Sequence, residues 1–142
     1  MPALAAAQLV DLVVARLAPT AAGGAHPSRA WPVSAHSLPL WKVYAGDESV
    51  DLVGFDGLEQ HDLSIVCEGL VAAVADLDDA LHTLARDGLA ALHATPLSEH
   101  ASLRTDLLQR AMAQENGADV GRLTLRLRAQ FHTYAAAPDV LV

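Results

Sequence analysis

"GRLTLRLRAQFHTY", residues 121–134, decides the fold. Leu123, Leu125, Leu127, Ala129 and Phe131 alternate with Thr124, Arg126, Arg128, Gln130 and His132. A period of two marks a strand with one buried face. The apolar set belongs against a helical layer, so the arginine face points the other way. What that second face meets is the functional question: nucleic acid, a substrate, a neighbouring subunit or water.

Just upstream, "LRTDLLQRAMAQENGADV" keeps no clean period. Followed by "ENGAD", it reads best as the partner strand of a C-terminal hairpin over 103–134. Before it, "DLDDALHTLARDGLAALHA" (76–94) puts Leu77, Leu81, Leu84, Gly88 and Leu92 on one helical stripe. Asp76 suits the N-cap, Asp78 and Asp79 complement the positive end of the helix dipole, and Pro96 follows the helix. Earlier still, two extended runs, 40–53 and 58–71, flank the turn "GFDG" (54–57) and form a first hairpin over 40–71. In the second run His61, Leu63, Ile65 and Cys67 share one face, and Asp62, Ser64 and Glu68 the other. Gly46 interrupts the first run and predicts a bulge or a kink there.

The N-terminal segment 3–18 reads as a helix with a stripe of Leu4, Leu9, Leu12, Val13 and Leu17, ended by Pro19. Residues 19–39 read as loop, with a short strand around Trp31–Ala35. The expectation is a single domain over 1–142, of the α+β class, with an antiparallel sheet of about four strands and helices on one face.

The 142 residues can bury a core without a metal or disulfide staple, and 52% hydrophobic against 18% charged is a folded composition. No apolar run approaches the ~20 residues that span a bilayer. The N-terminal segment lacks a basic start, and Asp11 and Arg16 interrupt its apolar part, so neither membrane nor signal peptide is expected. Cys67 is the single cysteine. A formal charge of −8 argues against a nucleic-acid binder, which needs a basic footprint. The charge is uneven: residues 1–100 carry a net −9 and residues 101–142 a net +1. Such asymmetry assists contacts between unlike surfaces of identical subunits.

Enzymatic signals are weak. The seven histidines (His26, His36, His61, His82, His93, His100, His132) form no HxxxH or HExxH pair. His61 and Cys67 stand six residues apart on one strand, about 20 Å at strand rise, too far for a nucleophilic pair. No Gly-rich phosphate loop precedes a helix. No catalytic residue, metal or cofactor is expected. Arg126 and Arg128 either pair across strands with acids such as Glu68, Asp62 or Asp51, or meet the acidic surface of a neighbour. Trp31, Trp41 and Tyr44 are either core residues or contact anchors.

The succession "LPLWKVYAGDESVD", "LSIVCEGLV", "DLDDALHTLARDGLAALHA" and "GRLTLRLRAQFHTYAAAPDVL" resembles the tail terminator proteins of long-tailed bacteriophages, of the lambda minor tail protein U type. The corresponding segments are Leu38–Glu48, Leu63–Gly69, Leu77–Ala85, and Leu123 through Tyr134 to Pro138 and Asp139, so the resemblance covers about residues 38–142. Order and spacing carry it. It implies a non-enzymatic virion protein whose subunits form a homo-oligomeric, six-membered ring at the head-proximal end of the tail. That ring caps the tail tube, stops its growth and offers a surface to the head-completion or connector protein, and DNA passes through it without specific binding. The candidate subunit or tube interface is then Arg126, Arg128, Gln130, His132, Asp47, Asp51, Trp41 and Tyr44. The rivals are another ring protein of the phage neck or tail, namely a head–tail connector or tube subunit, and a small α+β enzyme or ligand-binding domain.

Overall fold

The computed structural model describes residues 4–28, 30, 38–115 and 117–142. The strand expected around Trp31–Ala35 lies outside them. The chain runs α1 (Ala5–Leu17), a 3-10 turn (Ala18–Thr20), β1 (Ala25–His26), β2 (Leu40–Leu52), β3 (Leu58–Ala72), α2 (Leu77–His93), β4 (Ala101–Glu115) and β5 (Ala118–Tyr134).

The class is α+β, but the sheet has five strands in the order β1-β2-β3-β5-β4 and is mixed. β1 runs parallel to β2, and the other pairs are antiparallel. This corrects the expected antiparallel sheet of about four. The added strand is two residues long, too short for any period to reveal. It is set by backbone bonds: Trp41 N donates to Gly24 O at 2.9 Å and Gly23 N to Pro39 O at 2.7 Å. Gly24 supplies the positive φ of 77° that this turn requires.

Both helices pack on one face of the sheet. Leu123, Leu125, Leu127, Ala129 and Phe131 of β5 are buried there with Leu63, Ile65 and Cys67 of β3. α2 contributes Leu81, Leu84, Ala85, Gly88 and Leu92, close to the expected stripe. Asp76 occupies its N-cap position but makes no side-chain cap bond, a correction to the capping role. On α1 the buried set is Ala5, Leu9, Val10, Val13 and Leu17. Leu4 and Leu12, expected in the stripe, are exposed at 61% and 39%.

The first turn of α1 has no side-chain cap; the C-terminal tail supplies one instead. Ala5 N donates to Pro138 O at 3.1 Å and Gln8 Nε2 to Asp139 O at 2.7 Å, satisfying a donor that a helix start leaves unpaired.

The opposite face of the sheet closes on itself at one end. Leu40, Leu70 and Val120 form a second buried cluster with Leu38 and Ala113 against it. Lys42 on β2 is buried and reaches Glu115 on β4 at 3.6 Å. β2 and β4 are not neighbours, so this contact requires the sheet to curl strongly, as twisted sheets do.

Candidate assembly surface

On the face away from the helices, at the other end, four charged residues form a ladder across three strands. Arg126 Nε donates to Asp106 Oδ1 at 2.9 Å, and Arg128 Nε to Asp106 Oδ2 at 3.2 Å. Arg128 also lies 3.5 Å from Asp62 Oδ1. The backbone explains the geometry. β4 slips register between Thr105 and Leu107, leaving Asp106 as the extra residue opposite β5. A bulge re-aims a side chain, and here it carries one carboxylate between two guanidiniums. The Arg126 hydrogen bond, with both guanidinium charges, holds the Asp106 carboxyl below its ordinary range.

Of the acids considered as partners, Asp62 takes part. Glu68 instead accepts from Tyr44 Oη at 2.7 Å, and Asp51 lies opposite Gln60 near the first hairpin turn. Asp106 is the partner that the alternation of the strands does not reveal. Its signal is the doubled leucine Leu107-Leu108, where alternation breaks as a bulge requires.

The proposed interface residues do not form one patch. Arg126 and Arg128 are half-buried and engaged within the subunit, with Gln130 and His132 further along the same face. Asp47 and Asp51 are exposed on β2, Asp47 inside its register shift between Ala45 and Glu48. Gly46 sits in that same irregularity. Tyr44 is half-buried. Trp41 is a correction: it is fully buried in the core and no contact anchor. Its helix-side position on β2 puts the indole under α2, where Nε1 donates to Thr20 Oγ1 at 2.8 Å.

Two constellations have the residue types of catalysis, and neither has its access. His61 Nε2 lies 2.8 Å from Thr133 Oγ1, and Nδ1 lies 3.7 Å from Glu48. The ring stacks on Phe131 at 4.7 Å, and Thr133 is 1% exposed, so no substrate reaches its hydroxyl. Cys67 is fully buried, and burial raises its thiol pKa, which keeps the thiolate from forming. Asp62 and His61 point to opposite faces of β3. Among the described residues no group of three or more His, Cys, Asp or Glu is placed to hold a metal ion. Among them, too, no helix is long and apolar enough to cross a membrane.

The larger exposed feature is the border strand β4. It pairs with β5 on one side, and apart from an isolated bridge between Ala101 and Ser98 its 15 residues have no further strand partner among the described residues. α2 reaches only its first half, where His93 Nε2 lies 2.9 Å from Thr105 Oγ1. Leu108 and Met112 lie on its helix-side face yet are 37% and 57% exposed. At the other border, β1 covers only Trp41 and Lys42 of β2. The first hairpin ends in an apolar tip, with Val50, Leu52, Val53 and Phe55 exposed. Compared with known proteins, the chain matches no family model and no curated protein sequence.

Proposed function

We propose that this chain is a structural assembly subunit that forms a homo-oligomeric ring, and that the ring is a phage tail terminator. The observation that carries the assembly reading is β4, a long border strand with exposed Leu108 and Met112. An open, partly apolar sheet edge invites pairing with another chain unless the fold blunts or covers it. A subunit built to assemble leaves such a border for its neighbour.

The specific role rests on the resemblance over residues 38–142. In that role the ring sits at the head-proximal end of the tail, halts growth of the tube and receives the head-completion protein. The acidic balance of −8 suits a ring through which DNA passes without adhering. The subunit is then non-enzymatic and uses no cofactor.

Deleting the gene in its source phage or prophage and viewing lysates by electron microscopy tests the role. Overlong, headless tubes are the expected result. Absent tubes would reassign the chain as a tube subunit, and normal tubes beside unattached heads as a connector. Normal particles would overturn the virion reading and reopen the small-enzyme alternative.

A further inference from the structure

We propose that two different surfaces on opposite borders of the subunit make the ring contact: the groove beside α2 of one copy receives the uncovered end of β4 from the next. This rests on the assembly reading above and names the surfaces it uses.

The groove lies between α2, the end of β3 and the segment entering β2, and encloses about 430 Å3. Val71, Ala80 and Leu84 give it an apolar floor, with Asp76 and Asp79 at its rim. Both aspartates are exposed, and neither joins an ion pair among the described residues. Asp87, also on the rim, is held by Arg86 at 3.1 Å.

At the far border of the sheet, Leu108, Arg110 and Met112 face the helix side of β4, opposite Leu125, Leu123 and Gly121. No helix covers them. Arg110 is exposed and also outside any ion pair among the described residues. β4 thus offers apolar, cationic and apolar side chains at successive ~7 Å steps. The groove offers an apolar floor with carboxylates at its rim. The two are complementary in charge, each sets apolar surface beside it, and the match repeats the charge asymmetry of the chain.

The groove opens on the β1–β2 flank of α2, and β4 is the opposite border, so the contact is head-to-tail. Head-to-tail contacts close into rings when the rotation permits. A two-fold dimer needs a self-complementary patch instead.

A charge swap in the full-length chain tests this, read by sedimentation velocity over a concentration series, with circular dichroism to verify folding. Arg110→Asp and Asp79→Arg alone are each expected to raise the dissociation constant at least tenfold. Their equimolar mixture is expected to assemble again, because each copy then finds an opposite charge on both neighbours. Wild-type assembly unaffected by either variant, or weakened without rescue on mixing, overturns this contact and leaves the assembly reading standing. A wild-type chain that stays monomeric throughout overturns both.

Discussion

The indole of Trp41 lies against Gly88 of α2, in a slot that only glycine leaves open. A Cβ built at Gly88 would stand 2.8 Å from Trp41 Cζ2. On the sheet side, a Cβ at Gly69 would stand 3.0 Å from Trp41 Cζ3. The largest core side chain is therefore seated between a helix and a strand that each give up a side chain for it.

Gly88→Ala sets two effects against each other. Helix propensity favours alanine by up to about 1 kcal/mol. Overpacking a well-filled core costs about 1–3 kcal/mol. The Cζ2 atom belongs to a rigid ring pinned through Thr20, so the clash prevails and the variant loses stability. Urea unfolding checks this. Adding Trp41→Phe, which removes Cζ2, is expected to shrink the cost of Gly88→Ala; equal costs in both backgrounds would count against the slot.

Thr20→Val tests the polar end of the same side chain. It removes the acceptor for Trp41 Nε1 and leaves a buried N–H unpaired, which costs about 1–3 kcal/mol. Thermal melting reads the loss, and Thr20→Ser, which keeps the hydroxyl, is expected to restore most of it.

Asp106 gives the sheet an acid-sensitive contact. Its carboxyl titrates below its unfolded range, so the charged form is favoured by folding. That stabilisation is present above about pH 4, near the unfolded carboxylate pKa, and is lost as pH falls through the depressed native value. Asp106→Asn lacks it at every pH. Unfolding curves for wild type and variant are expected to separate at neutral pH and converge on acidification. A constant gap would place the contribution of Asp106 outside the ladder.

The same ladder sets what charge reversal on β5 does. Arg126→Glu with Arg128→Glu places two new carboxylates beside Asp62 and Asp106, and like charges on adjacent strands repel. The folded subunit itself is expected to lose stability, visible as a lower melting temperature. An unchanged melting temperature with lost assembly would instead make the arginines interface residues.

These residues also show where sequence pattern stops. The buried face of β5 and the stripe of α2 are legible because each repeats over several periods within one segment. Asp106 is hidden because its bulge breaks the period by which strands are read. Trp41 is ambiguous for another reason. A tryptophan near a strand start suits core or contact alike, and the glycines that decide lie on two later elements. β1 is two residues long and is held by backbone bonds, which leave no trace in side-chain pattern.

The C-terminal tail is the last such case, because its carbonyls, not its side chains, cap α1. Removing residues 138–142 takes away Pro138 O and Asp139 O, and with them Leu141, which packs against the core. The amides of Ala5 and the residues after it are then expected to exchange with solvent much faster. Gln8→Ala, which loses only the bond to Asp139 O, is expected to give a smaller effect confined to the same turn. Hydrogen exchange with mass spectrometry separates the two. Truncation that leaves protection of the first turn of α1 unchanged would show that the helix start is held from elsewhere.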